Sequence, residues 1–114
     1  MTDPRRAFGT AGEDRAVAWY QHHGYEILHR NWRCKEGELD IVVRRRRELV
    51  FVEVKTRRTD RFGIPAEAIT PTKQRRLRVL AGQYLAATGQ RAGSLRFDVV
   101  SILAGDLEVI EAAF

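Results

Sequence analysis

The 114-residue chain predicts a single α/β domain, a mixed sheet with helices on its faces, and three observations carry that prediction. Glu38 to Arg44 and Leu49 to Thr56 are rich in β-branched and apolar residues and flank a charged turn, the pattern of an antiparallel strand pair. Two segments with apolar residues at helical spacing, residues 10–23 and 70–88, stand on either side of that pair. The composition, 44% hydrophobic and 31% charged, is that of a globular chain with one core.

Taken in order, Met1 to Gly9 hold one Pro and two Arg without periodicity and read as a flexible arm. Thr10 is the expected N-cap of a first helix that runs to about His23 and closes at Gly24, with Ala16, Val17 and Tyr20 as its inward stripe. Glu13 falls on the same stripe; the helix dipole favours a carboxylate in the first turn but does not explain why it should face inward. Tyr25 to Arg33 alternates as a first strand, and the pair 38–44 and 49–56 follows. Arg57 to Pro65 has no period and holds Gly63 and Pro65, so it reads as a loop, basic through Arg57, Arg58 and Arg61 and suited to clamp a phosphate backbone. Thr70-Pro71 starts a second helix that stops at Gly89, with Leu77, Leu80, Ala81, Tyr84 and Leu85 inward and Lys73 extending that stripe. Ser94 to Leu103 and Asp106 to Ile110 close the sheet, and Asp98, a charge in an apolar run, is expected to bond Arg96 or a helix end.

The chemistry concentrates in the central strand pair. Alternation puts Glu38 and Asp40 on one side of the first arm and Glu53 and Lys55 on one side of the second, and a register with Asp40 opposite Glu53 would set Glu38 opposite Lys55. Glu53 interrupts a run apolar on both faces, where a carboxylate must be paired, protonated or metal-bound. An ion pair with Lys55 would satisfy Glu53 alone. It leaves Asp40 and Glu38, which a divalent cation would compensate, and oxygen ligands select Mg²⁺ or Mn²⁺.

Gly12-Glu13, Gly24-Tyr25, Arg30-Asn31, Gly37-Glu38-x-Asp40, Phe51-Val52-Glu53-Val54-Lys55-Thr56-Arg57 and Arg96-Phe97-Asp98-Val99-Val100 together resemble the YraN-like family of small bacterial proteins. Asp40 followed by Glu53-Val54-Lys55 is similar to the core of the PD-(D/E)xK nuclease superfamily, which includes the Holliday-junction resolvases. That resemblance implies a restriction-endonuclease-like fold with an αβββαβ core and a metal-dependent attack on a phosphodiester. It implies Asp40, Glu53 and Lys55 as catalytic residues, Asp40 and Glu53 as metal ligands, and Glu13 or Glu38 completing the metal shell. Lys73 is also part of the match, which favours its pointing at a bound phosphate.

Twenty Lys and Arg against fifteen Asp and Glu leave a net charge of +5, which favours a polyanionic partner such as nucleic acid, and the resemblance to the nucleases implies DNA ahead of RNA. Arg44 to Arg47 are the densest positive charge, readable equally as a solvated tip or as added backbone contacts. No apolar run is long enough to span a bilayer and the N-terminus has no secretion signal, so a cytoplasmic protein that avoids the membrane is expected. The single cysteine, Cys34, fits a reducing compartment. The expected activity is a metal-dependent, structure-selective endonuclease acting on branched, flapped or single-stranded DNA, with a homodimer natural for paired cuts. The alternatives are a nucleic-acid-binding accessory protein that does not cut, and an interaction module in which Glu53 and Lys55 merely pair.

Overall fold

The computed structural model describes residues 4–58 and 69–114, with side chains from residue 7 onward. Along the chain come α1 (Pro4–His22), β1 (Glu26–Cys34), β2 (Gly37–Arg45), β3 (Glu48–Arg57), α2 (Pro71–Thr88), β4 (Ser94–Leu103) and β5 (Asp106–Ile110). The five strands form one sheet in sequence order, antiparallel except for β3 and β4, which pair in parallel across the α2 crossover. This is the expected αβββαβ order with β5 added at the edge.

The ends of α2 follow local chemistry. Thr70 Oγ1 accepts from Lys73 N at 3.2 Å, Pro71 takes the first turn, and Gly89, at φ 69°, donates its N–H to Leu85 O. The start of α1 differs from expectation. Its helix begins at Pro4 rather than Thr10, so residues 4–9 are helical and not a loose arm. Pro4 lacks the N–H that a first turn would leave unpaired and its fixed φ suits that position, so no side-chain cap at Thr10 is needed.

The sheet has a core on each face. Ala16 and Tyr20 of α1 pack on Ile41, Val43, Val50, Val52, Val100 and Ile102; Leu77, Leu80, Ala81 and Tyr84 of α2 pack on Leu39, Val42, Leu49, Phe51 and Phe97. Burial on both sides is why Leu49 to Val52 is apolar throughout. At Gly12, α1 lies directly on β3: a Cβ there would fall 2.1 Å from Thr56 Oγ1.

Asp98, 1% exposed, is the polar centre of this core. Its carboxylate accepts from Arg96 Nε at 2.8 Å and Nη2 at 2.9 Å, Tyr20 Oη at 2.7 Å and Ala112 N at 3.0 Å. Arg96 also donates to Glu48 Oε1 and Tyr25 Oη, each at 2.8 Å. The bond to Asp98 holds the Arg96 guanidinium proton more tightly than usual, while burial and then the Asp98 charge raise the Tyr20 phenol. Removing one partner of such a buried pair leaves the other uncompensated. Arg96→Ala should therefore lower stability by about 3 kcal/mol, seen as a lower urea midpoint at unchanged m-value. A loss below about 1 kcal/mol would mean that Tyr20 and the Ala112 N–H suffice to hold the carboxylate.

Candidate active site

The site forms where β2 and β3 part. Their ladder runs from Arg45 opposite Glu48 to Ile41 opposite Val52 and ends there. The next step in that register sets Asp40 level with Glu53, as expected, but the bond is made by a side chain: Val54 N donates to Asp40 Oδ2 at 2.9 Å. Beyond it β3 stays on β4 as far as Arg57 and Leu103, while β2 stays on β1. Glu38 is consequently level with Arg33, not Lys55, and its carboxylate lies 3.2 Å from Arg33 Nε.

Two lysines converge on one carboxylate oxygen. Glu53 Oε1 is 3.3 Å from Lys55 Nζ and 3.0 Å from Lys73 Nζ, the latter reaching in from the first turn of α2. Burial, and then contact with Lys73, push the Lys55 ammonium below its ordinary pKa. Burial opposes the charge on Lys73 as well, but hydrogen bonds to Lys55 and Glu53 and the field of Asp40 outweigh it and raise that lysine. Lys55 is thus the member of the pair that gives up its proton first.

A second acid pair lies beside the first. In the orientation its partners require, the Asn31 amide donates to Glu38 Oε1 at 2.8 Å and Glu13 Oε1 at 3.0 Å. Asn31, at φ 52°, lies between Arg30 and Trp32, the partners of Ile41 and Leu39, and so is level with Asp40. Burial raises the Glu13 carboxyl, with Glu38 adding to the effect against the Asn31 bond. Burial, then Glu53, and further off Glu13 and Glu38, push Asp40 up to about 7 against the bond from Val54.

Glu13 stands between two cavities. One, about 470 Å³, is acidic and takes in Asn31, Glu38 and Asp40. The other, about 570 Å³, is bounded by Phe8, Val54, Lys55, Thr56 and Arg58. Arg58 is exposed, its guanidinium 4.8 Å from the Phe8 ring centroid, and Arg57 is half-buried at the end of β3. Arg61 lies outside the described residues.

Among the described residues no three His, Cys, Asp or Glu side chains converge closely enough to hold a metal together. Asp40 and Glu53 nevertheless fit a hard cation by the chemistry of their donors: both offer carboxylate oxygens, level with each other where β2 and β3 part. Mg²⁺ suits such a pair because it keeps several waters and takes substrate phosphate oxygens as further ligands. The Asn31 bridge was not foreseen; Arg30-Asn31 stood in the motif, but its role depends on the β1–β2 register.

A family model described as uncharacterised protein family UPF0102 matches residues 12–102, a span that includes both acid pairs and both lysines. A UPF0102 protein of Mycolicibacterium vanbaalenii is 49% identical over 110 residues, 96% of this chain and 91% of its own. One of Caldicellulosiruptor saccharolyticus is 45% identical over 116 residues, 96% of this chain and 98% of its own. One of Moorella thermoacetica is 46% identical over 121 residues and covers all of both chains.

The Asp40 shift has a signed consequence. Its folded pKa, about 7, lies above the ordinary 3.8 of an aspartate, so the folded state holds the proton more tightly. The stability it contributes is full below about pH 4 and is lost as pH rises through about 7. Asp40→Asn should remove that decline and leave the protein on the order of 2 kcal/mol more stable at pH 8, after allowance for solvent access. Urea midpoints at pH 5 and pH 8 check this; parallel pH profiles for the two proteins would contradict it. Lys73→Met should raise the Lys55 pKa by removing a hydrogen bond and a like charge, which ¹⁵N titration of the Lys55 ammonium reads directly. An unchanged value would mean that the two ammonium groups are screened from each other.

Proposed function

We propose that this chain, which belongs to the UPF0102 family of YraN-like proteins, is a divalent-metal-dependent endonuclease that hydrolyses phosphodiester bonds in DNA. The observation that carries the reading is the acid cluster at the parting of β2 and β3, where Asp40 is left with a pKa near neutrality beside Glu53 and Lys55. Such a cluster sets carboxylate oxygens suited to a hard cation beside a lysine whose pKa burial and Lys73 push down.

Asp40 and Glu53 would hold Mg²⁺ or Mn²⁺, with Glu13 and Glu38 beside them. When bound, the ion supplies a water of lowered pKa and charge for the scissile phosphate oxygens. Lys55 Nζ, in its neutral form, accepts a proton from the attacking water. Lys73 stays charged on Glu53 and faces the negative charge that gathers as the phosphodiester is attacked. Arg57 at the end of β3, with Arg58 and Arg61 after it in the sequence, would steady the backbone without reading its sequence. That favours selection by shape: branched, flapped or single-stranded DNA, with paired copies for paired cuts. No helix among the described residues is long and apolar enough to cross a membrane. The free, half-buried Cys34 suits a reducing compartment, and the cytoplasm is the proposed location.

One observation favours a second reading. Glu53 already has two ammonium partners, so the cluster could persist without metal in an accessory protein that binds DNA and does not cut it. End-labelled single-stranded, duplex, flapped and four-way-junction DNA, incubated with Mg²⁺ or Mn²⁺, separates the two. The nuclease reading expects metal-dependent cuts that fall at least ~100-fold in Asp40→Asn and Lys55→Ala. Binding without cuts on any substrate, unchanged in both variants, selects the accessory protein.

A further inference from the structure

Arg44, Arg47 and Arg91 line a cavity of about 250 Å³ with Ala92 and Gly93, at the end of the β2–β3 hairpin away from the acids. Leu49, level with Arg44, is six residues from Lys55, so the two sites are ~20 Å apart along β3. The cavity is built by specific contacts. Arg47 O accepts from Gly93 N at 2.7 Å and Ser94 N at 3.3 Å, which ties the loop after α2 to the hairpin turn. A Cβ at Gly93 would stand 3.1 Å from Arg47 Cβ, tighter than an ordinary contact, so glycine is what lets the two segments come this close. Arg44 Nη2 donates to Gln90 Oε1 and to Arg91 O, which fixes the guanidinium plane.

Two features mark it as a ligand site. Arg44 Nε is buried without a hydrogen-bond partner, the one such side-chain atom among the described residues. Acids that could neutralise the three arginines are also engaged elsewhere or out of reach. Glu48 is bound by Arg96 and Ser94, and Glu26, level with Arg44 on β1, makes no ion pair with it. Arg45 is used structurally, over the Tyr25 ring and on His23 O, and adds nothing to the pocket.

We infer that Arg44, Arg47 and Arg91 form a phosphate-binding pocket that holds a backbone phosphate of nucleic acid away from the acid cluster. Guanidinium forks match the paired oxygens of a phosphate, and those of Arg47 and Arg91 are exposed at the cavity to receive one. The phosphate chemistry stands without the nuclease reading; the choice of nucleic acid as its source rests on that reading.

The test uses the wild-type chain in EDTA, so that binding is read without turnover. Inorganic phosphate, followed by amide NMR, should give saturable shifts at Arg47, Ala92 and Gly93 that vanish in Arg47→Ala/Arg91→Ala. A labelled 20-nucleotide single strand, followed by anisotropy, should bind that variant ~10-fold more weakly. Its plot of log affinity against log salt should be shallower by about 1.4, for two lost contacts at about 0.7 each. Both arginines are exposed, and Arg47→Lys/Arg91→Lys, which keeps the charge but loses the forks, should lie between the two proteins if folding is intact. An equal loss in Arg75→Ala/Arg76→Ala, on the exposed face of α2, would reduce the effect to net charge and overturn the pocket. Phosphate shifts with unchanged strand binding would overturn nucleic acid as the source, and no response to either ligand would overturn the site altogether. Failure to cut DNA with metal, with these binding losses intact, would count against the nuclease reading alone.

Discussion

A carboxylate with no access to water has to be answered on every side, and Asp98 is answered from several elements at once. Tyr20 brings α1, Arg96 brings Glu48 of β3 and Tyr25 at the mouth of β1, and the Ala112 N–H brings the C-terminal segment. The hydrophobic contacts between α1 and the sheet are non-directional and would tolerate some sliding. The hydroxyl of Tyr20, 2.7 Å from a buried charge, would not. Glu13 lies two turns before Tyr20 on the same helix, so its place beside the acids depends on a bond made at the far side of the core.

The acid cluster follows from a different constraint, the end of a ladder. Antiparallel strands that stayed paired would spend the Val54 N–H on a β2 carbonyl. Because β2 turns away to follow β1, that N–H falls to Asp40, and a side chain that a continuous sheet would push outward is held at the seam. The same parting opens room for α2 to send Lys73 onto Glu53. Charges of both signs are thereby brought within a few ångströms in a half-buried place, where neither solvent nor a single partner balances them.

Features fixed by neighbouring residues were legible in the sequence. The Thr70-Pro71 start and Gly89 stop of α2 needed only capping chemistry, and β4 and β5 occupy the spans that their apolar runs suggested. The pairing of Asp98 with Arg96 was legible because two residues along a strand share a face. What depended on register was not. Alternation alone placed Glu38 opposite Lys55, and nothing in the pattern said the ladder would stop at Ile41. Asn31 gains its position from β1–β2 pairing, which includes an irregularity between Ile27 and His29 that no local signal announces. The early start of α1 was hidden because Pro4 marks a helix beginning as readily as it marks a coil.

Gly12 carries no chemistry, yet the close approach it allows has a consequence for how substitutions would be interpreted. With 2.1 Å between a would-be Cβ and Thr56 Oγ1, any other residue must turn the Thr56 side chain aside or lift the first half of α1 off β3. Where the helix lifts, Glu13, next in the chain, moves with it. In a mutational scan scored only by function, position 12 would resemble a member of the reacting set, although its contribution is the thickness of one methyl group.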